Sequence, residues 1–416
     1  MNPNHFGPET RKSLTNFPFP NHKVYLELVY EIVKIKKAAA LSNAKVGLLE
    51  KEKGKSIVKA CNVILDGKYD HEFITSAIQG GAGTSLNMNV NEVIANLSHT
   101  KALKDVNKCQ STNDVNPSAL RLVCLNLSDL LIKNLDKLII EFEKKARTYK
   151  NFQKLARTHM QDAISINFGD EFKSYSYTLK KDKERIAKSR SNLFELNLGG
   201  TAVGNSINAP QKYIENIYKI LKKITNLEIY KSQNFMSLTS SSSDFCELSS
   251  SLNILFTDLS KIATDLRFLS SGPKGGIGEI TLKELQNGSS IMPGKVNPVI
   301  PESINQVAYI ISANNETIHQ AARDSSLELS IMFPIIADSL ITSLKFSITA
   351  VEIFSKKCIK TLKVNKNKTT KNLNESFASA IYLTNELGYA KVSKIVKKAL
   401  KQDKPLKNFI HTSRIV

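Results

Sequence analysis

The chain has 416 residues and a formal net charge of +20 at pH 7, from 58 Lys and Arg against 38 Asp and Glu. This length allows a large buried core and predicts more than one domain. No apolar run reaches the roughly 18 residues of a transmembrane helix, and the N-terminus lacks the charged-then-apolar pattern of a secretion signal. We therefore predict a cytoplasmic protein that does not bind membranes.

The excess of basic residues has two interpretations. It indicates nucleic-acid binding when the charge follows one stripe of the surface. Here most basic residues are Lys, they are spread over the whole chain, and the aromatic stacking motifs of RNA-binding modules are absent. We interpret the charge as solvated Lys on helix faces and predict no nucleic-acid partner, although the positive field would attract a small anionic substrate.

Most of the chain has apolar residues at three- and four-residue spacing, which predicts helices. Residues 1–20 contain Phe-Gly-Pro and Phe-Pro-Phe-Pro turn signals and predict an irregular arm. No convincing alternating strand series is present, so the predicted fold class is all-α, with the longest helices forming a bundle shared between subunits. The main predicted helices cover residues 24–46, 52–65, 117–146, 170–196, 249–268 and 302–319.

Polar clusters interrupt these helices. Residues 79–96 hold three glycines in four positions and then enter a helix that carries Asn87, Asn91 and Glu92. Glycines let a backbone approach a ligand closely, but no Lys has Walker spacing, so a P-loop is not predicted. Residues 111–114, Ser-Thr-Asn-Asp, fit a helix N-cap and equally a set of carboxylate donors at a helix N-terminus.

Two further segments complete the set. Residues 157–163, Arg-Thr-His-Met-Gln-Asp-Ala, contain His159, which the residues alone allow to be structural or functional. Residues 288–298 read GSSIMPGKVNP, and the glycines and Pro293 exclude a continuous helix. A polar loop between long helices is typical of a functional site.

These clusters supply hydroxyls, amides, one Lys and one His. Such groups suit a substrate with several carboxylates. They would favour a reaction that builds negative charge on a carboxylate, such as removal of the proton α to it. A serine base would need N–H donors and positive potential, which a glycine-rich loop beside Lys295 can provide. His159 has no partner in an HExxH motif, the five cysteines form no CxxC pair, and no GxGxxG follows a strand, so neither a metal nor a dinucleotide is predicted.

The segments resemble the fumarase/aspartase superfamily. GSSIMPGKVNP looks like its signature loop, and GGAGTSLNMNVNEVIAN (80–96), KCQSTND (108–114), RTHMQDA (157–163) and GGTAVG (199–204) follow in the family's order. The similarity covers roughly residues 5–400. KCQSTND and the continuation VIPESINQV (299–307) are more similar to the aspartate ammonia-lyase branch than to class II fumarases.

The resemblance implies a three-domain, mainly helical homotetramer with a twenty-helix core and active sites shared by three subunits. The expected domains are residues 1–109 (N-terminal, mainly helical), 110–365 (central long-helix bundle) and 366–416 (a shortened C-terminal domain). The segment between residues 96 and 107 is also shorter than is usual in the family.

The resemblance further implies reversible anti elimination of ammonia from L-aspartate to give fumarate, through an aci-carboxylate, with no cofactor or metal. Ser289 would be the base, and Glu302 would pair with His159 and set its charge. The β-carboxylate would be held by Thr84, Ser111, Thr112 and Ser290, and the rest of the substrate by Asn113, Thr158, His159, Lys295 and Asn297.

Two alternatives stay open. A class II fumarate hydratase would perform the same elimination on malate, with water as the leaving group. A non-catalytic structural or binding member of the family would be favoured by the loss of a catalytic residue, and none is lost.

Overall fold

Helices account for most of the chain, and this confirms the all-α prediction. The computed structural model describes residues 5–20 and 22–409. The α-helices are α1 Pro8–Asn16, α2 Leu26–Lys45, α3 Lys51–Leu65, α4 Thr84–Ser98, α5 Thr112–Thr148, α6 Phe168–Ser191, α7 Gln211–Thr225, α8 Phe235–Ser240, α9 Ser243–Leu269, α10 Val299–Arg323, α11 Phe333–Ile353, α12 Lys366–Glu375, α13 Ala380–Leu387 and α14 Tyr389–Lys401.

The N-terminal arm is more ordered than the sequence predicts, because α1 lies within it. Pro8 occupies the first helical position, where its missing N–H costs nothing. The carboxylate of Glu92 in α4 accepts the backbone N–H groups of Gly7 and Thr10 at 2.9 and 3.1 Å. A carboxylate at a helix N-terminus satisfies unpaired donors, so a distant residue stabilises a helix that the local signals did not indicate.

Helix α5 begins at Thr112, five residues before the predicted start, with Pro117 inside it. Pro117 has no N–H to donate to the carbonyl of Asn113. That carbonyl instead accepts the Nδ2 of Asn197 at 3.0 Å. The lost helical bond is thus replaced by a side chain from another part of the chain.

The prediction that strands are absent is wrong for residues 153–167. Strands β1 (Gln153–Thr158) and β2 (Gln161–Asn167) form an antiparallel hairpin, with Arg157 opposite Asp162 and Thr158 opposite Gln161. The turn residues are His159 and Met160, both at positive φ. The usual Asn-Gly or Asp-Gly signal is missing, so the sequence does not predict this hairpin.

The remaining strands are short pairs. β3 (Glu195–Leu196) lies parallel to β4 (Tyr230–Lys231), and it follows α6 where the sequence predicts the last turn of that helix. β5 (Ile280–Thr281) pairs antiparallel with β6 (Lys363–Val364).

The chain divides into two compact units. The first contains residues 1–132, 184–254 and 309–348, and in it α2 packs against α3, α4 and α7. The second contains residues 133–183, 255–308 and 349–416; its core includes a group of aromatic rings from Phe142, Tyr175 and Phe354. The three-domain division expected from the family stays a prediction.

Two helical stretches, Thr112–Thr148 and Phe333–Ile359, are long and apolar enough by composition to cross a membrane. Their apolar windows are 72% and 61% buried inside the structure. Such burial is typical of core helices of a soluble protein.

Candidate active site

The hydroxyl cluster lies at the N-terminus of α5. The backbone N–H of Ser111 donates to the Asp114 carboxylate at 2.8 Å, and the Ser111 hydroxyl accepts the N–H of Asn113 at 3.2 Å. This reciprocal arrangement is a capping box, so the N-cap interpretation is confirmed. Because the Ser111 oxygen is the acceptor, its proton stays available for a further acceptor, and the carboxylate-binding interpretation is compatible with it.

Asp114 connects this turn to the GGTAVG segment at 199–204. Its Oδ2 accepts the backbone N–H groups of Gly199 and Thr201 at 2.9 and 3.1 Å. Burial raises the pKa of Asp114 to about 6, while the backbone donors and the charge of Lys36 act in the opposite direction. One carboxylate therefore fixes two distant backbone segments, a role that sequence reasoning missed.

Asn113 strengthens the same connection. Its Nδ2 donates to the carbonyl of Ala202 at 2.8 Å. One amide proton of this predicted binding residue is thus committed to the fold. The second proton and the Oδ1 atom are the groups with which Asn113 can meet a ligand.

Thr112 is oriented by a chain of buried amides. Its Oγ1 accepts a hydrogen bond from Asn87 Nδ2 at 3.2 Å, and Asn87 also donates to Asn107 Oδ1 at 3.3 Å. Asn107 Oδ1 accepts Lys36 Nζ at 2.8 Å. With its oxygen held as an acceptor, the Thr112 hydroxyl can direct its proton to a ligand. From the sequence, Asn87 was predicted only to lie on a helix, and neither Asn107 nor Lys36 was predicted to take part in the site.

Lys36 lies fully buried in α2. Burial lowers its pKa to about 7, and the charge of Asp114 opposes that shift. Its position was readable from helical spacing, since Lys36 follows the buried Ile32 by four residues and precedes the buried Ala40 by four. A Lys on the apolar face of a helix is the signal that would have found it.

Thr84 is the first residue of α4 and follows the glycine-rich turn. Gly83 has φ +84°, and a Cβ there would lie 2.7 Å from Asn116 Nδ2, so this position requires glycine. The Thr84 hydroxyl donates to the carbonyl of Gly81 at 2.7 Å. Thr84 is exposed at a helix N-terminus, where backbone N–H groups favour an anion.

Thr158 and His159 lie at the tip of the β1–β2 hairpin, and both are exposed. His159 and Met160 have φ values of +53° and +60°. Left-handed conformations cost residues with a side chain on the order of 1–3 kcal/mol each and cluster at functional sites. The strained turn therefore supports a functional rather than a purely structural His159.

The signature loop holds Ser289 in a distinctive environment. Its Oγ accepts the backbone N–H groups of Ile291 and Met292 at 3.2 and 3.1 Å. Two N–H donors on one hydroxyl oxygen would stabilise negative charge there. The backbone donors that a serine base needs are present in a single chain.

The shape of this loop depends on Gly288. A Cβ at Gly288 would lie 1.8 Å from the carbonyl oxygen of Lys295, so any side chain would open the loop. Asn297 Nδ2 donates to the Gly288 carbonyl at 2.7 Å and ties the two ends of the loop together. Ser290 and Lys295 are exposed between them.

The predicted site residues fall into two groups, one in each unit. The capping turn brings together Ser111, Thr112 and Asn113 of the first unit. The signature loop brings together Ser289, Ser290, Lys295 and Asn297 of the second unit. Among the residues that the structure describes, no hydrogen bond or ion pair joins His159 to Glu302 within the chain, and their pairing stays a prediction. The first group is Thr84, Ser111, Thr112 and Asn113, and the second is Thr158, His159, Ser289, Ser290, Lys295, Asn297 and Glu302.

Known proteins are similar to this chain over most of its length. The model of the Lyase family matches residues 2–312. The aspartate ammonia-lyase of a Bacillus species is 38% identical over 407 residues, covering 95% of this chain and 87% of that protein. The aspartate ammonia-lyase of Helicobacter pylori (strain J99) is 37% identical and covers 97% of this chain and 89% of that protein.

A solved structure extends the likeness to the fold. The class II fumarase from Schistosoma mansoni superposes with a TM-score of 0.95 at 30% identity, covering 98% of this chain and 92% of that one. The protein is a lyase of the fumarase/aspartase superfamily. Within this superfamily, its described relatives at 37–38% identity are aspartate ammonia-lyases.

Proposed function

We propose that this protein is an aspartate ammonia-lyase, which converts L-aspartate reversibly into fumarate and ammonia. The identity of 38% over 95% of the chain to a Bacillus aspartate ammonia-lyase favours aspartate over malate, since the fumarase structure is 30% identical. The observation that carries the chemistry is the pair of backbone N–H groups on Ser289 Oγ.

In this mechanism Ser289 acts as the base. An ionised serine is costly because the free hydroxyl is a very weak acid. The N–H groups of Ile291 and Met292 would lower that cost by donating to the developing oxyanion. The proton on C3 passes to Ser289 Oγ, the electrons of that bond form the double bond, and the ammonium group leaves C2 as ammonia.

The remaining site residues bind the two carboxylates. Ser111 and Thr112 both have their oxygens held as acceptors, so their protons would donate to the β-carboxylate and stabilise its aci form. Ser290 would assist them through its hydroxyl, and Thr84 through the backbone N–H groups at the N-terminus of α4. Asn113, Thr158, His159, Lys295 and Asn297 would hold the rest of the substrate, and Glu302 would carry the negative charge that pairs with His159.

We also propose a cytoplasmic homotetramer in which each site takes residues from three subunits. The support is the resemblance to the fumarase/aspartase superfamily, which implies such a tetramer. A shared site would allow the Glu302 of one subunit to meet the His159 of another.

The test is direct. Purified protein is mixed with L-aspartate or with L-malate, and fumarate is followed by its ultraviolet absorbance between pH 6 and pH 9. We expect fumarate from aspartate. Fumarate from malate alone would establish the hydratase, and no signal from either substrate would contradict both enzymatic functions.

A further inference from the structure

A buried carboxylate, Glu279, lies outside the residues that were given a role above. Its side chain is fully buried in the second unit. Glu279 Oε1 is 2.9 Å from Arg157 Nη2, and Oε2 is 3.7 Å from Lys154 Nζ. A fully buried charge is unfavourable unless it is paired, so Arg157 and Lys154 stabilise this carboxylate.

The two cations belong to β1, the strand that leads to the His159 turn. The β1–β2 register shifts between Leu155 and Arg157. Such a bulge changes the direction of a side chain, and here Arg157 reaches Glu279. Lys154 is fixed independently, because both oxygens of Glu171 lie 3.0 Å from its Nζ. At the bulged end of the strand, next to Thr158, the ion pair of Arg157 with Glu279 adds to the pairing with β2.

The carboxylate also receives a donor from the C-terminal part of the chain. Asn372 in α12 donates through Nδ2 to Glu279 Oε1 and to the carbonyl of Ile277, both at 3.0 Å. The backbone carbonyl of Glu279 accepts the N–H of Asn365 at 2.9 Å. Helix α12 and the residue before it therefore also bind Glu279. The contacts of Glu279 with β1 and with α12 are called the junction below.

Glu279 lies at the start of the segment that leads to the signature loop. It directly precedes β5 and lies ten residues before Ser289. Its own N–H donates to the carbonyl of Leu269 at the end of α9, at 2.9 Å. The same residue thus contacts the end of α9, the hairpin that carries His159, and α12.

We propose that Glu279 is a positioning residue that fixes the Thr158–His159 turn relative to the end of α9 and the start of β5, with Asn372 completing the junction. The turn has two residues in left-handed conformation and ends in solvent. Such a turn keeps one geometry only if its surroundings impose it. The Arg157–Glu279 pair supplies that restraint at the residue next to Thr158. The proposal rests on the function proposed above, in which His159 binds the substrate.

Glu279→Gln tests the junction, because it keeps the shape of the side chain and removes the charge. We expect KM for L-aspartate to rise about tenfold, the size of one charged hydrogen bond, with a smaller change in kcat. Asn372→Leu should move KM in the same direction by a smaller factor. Glu279→Gln and Arg157→Gln combined should cost no more than the larger of the single changes, because they act on one contact.

Tyr175→Phe is the matched control. It removes a hydrogen bond from a buried tyrosine of the same unit, from Tyr175 Oη to Asp265 Oδ2 at 2.8 Å, without touching the junction. We expect it to lower Tm and leave KM unchanged. If Glu279→Gln behaves like Tyr175→Phe, the proposal is overturned.

A second readout does not depend on activity. Amide hydrogen exchange of residues 153–167, measured by mass spectrometry in the full chain, should become about tenfold faster in Glu279→Gln and stay unchanged in Tyr175→Phe. Unchanged exchange in Glu279→Gln would overturn the proposal. Absence of turnover in the unmodified protein would refute the proposed function, and the exchange result would still decide whether Glu279 restrains the turn.

Discussion

Asn87 donates a hydrogen bond to the hydroxyl oxygen of Thr112, over 3.2 Å and inside the first unit. This bond decides what Thr112 can do. A hydroxyl has one proton, and when its oxygen is held by a donor from the protein, that proton is directed elsewhere. A buried amide of α4 thus prepares a donor on α5.

Replacing this donor should impair the site. Asn87→Asp removes the N–H group, and the Thr112 proton would then turn toward the new carboxylate. We expect kcat/KM for L-aspartate to fall about tenfold to a hundredfold. Asn89→Asp is the control, since Asn89 is equally buried on α4 and donates to the carbonyl of Glu72 instead. Equal losses of kcat/KM in the two variants would show that Thr112 is not prepared in this way.

The role of Ser289 gives a prediction on turnover. Ser289→Ala removes the proposed base and should lower kcat by a factor on the order of 10³ or more. Binding of a dicarboxylate analogue, measured by calorimetry, should survive, because other residues hold the carboxylates. Near-normal turnover would remove Ser289 as the base.

Asp114 gives a prediction on stability. Asp114→Asn leaves one acceptor oxygen where the carboxylate met the N–H groups of Ser111, Gly199 and Thr201. Each buried donor left unpaired costs about 1–3 kcal/mol, so the free energy of unfolding in urea should fall by at least that amount. Asp136→Asn, which breaks an ion pair with Lys183 between partly exposed side chains, should change it by less than about 1 kcal/mol. A loss of stability in Asp114→Asn no larger than in Asp136→Asn would contradict the proposed role of Asp114 in joining the two backbone segments.

Lys36 makes stability depend on pH in a definite direction. Its pKa is lowered from 10.5 to about 7 by burial, so between these values the unfolded chain binds more protons than the folded one. Its contribution therefore makes the free energy of unfolding rise as pH increases from about 7 toward 10.5.

Lys36→Met should remove this contribution. We expect the stability of the variant relative to the parent protein to decrease between pH 7 and pH 9.5, by urea unfolding at both values. Lys183→Met is the control, because this side chain is partly exposed and its difference from the parent should not follow that trend. A pH-independent difference for Lys36→Met would show that Lys36 keeps an ordinary pKa in the folded state.

The proposed sharing of sites between subunits predicts complementation. Inactive Ser289→Ala and His159→Asn subunits, mixed under conditions that exchange subunits, should regain activity because some sites receive two intact contributions. Ser289→Ala mixed with Ser290→Ala should regain none, since both residues belong to one loop. No recovery in the first mixture after verified exchange would contradict shared sites.

The long helices were predictable from sequence because periodicity and caps are local. α2 and α3 begin and end within two residues of the predicted bounds. The errors occurred where distant groups decide the outcome. α1 depends on the carboxylate of Glu92, and the β1–β2 hairpin forms around His159 and Met160 without a turn signal.

The sequence by itself determined the fold class and the family, and it predicted the residues that would carry the chemistry. Their types and order survive in the linear chain, as GSSIMPGKVNP at 288–298 does. Only the tertiary structure decided which hydrogen bonds these residues make and which carboxylates are buried. Backbone N–H groups donate to Ser289 Oγ, Asn87 donates to Thr112 Oγ1, and the carboxylates of Asp114 and Glu279 are buried. These depend on which distant groups folding brings within hydrogen-bond reach and removes from water, and no local pattern encodes that.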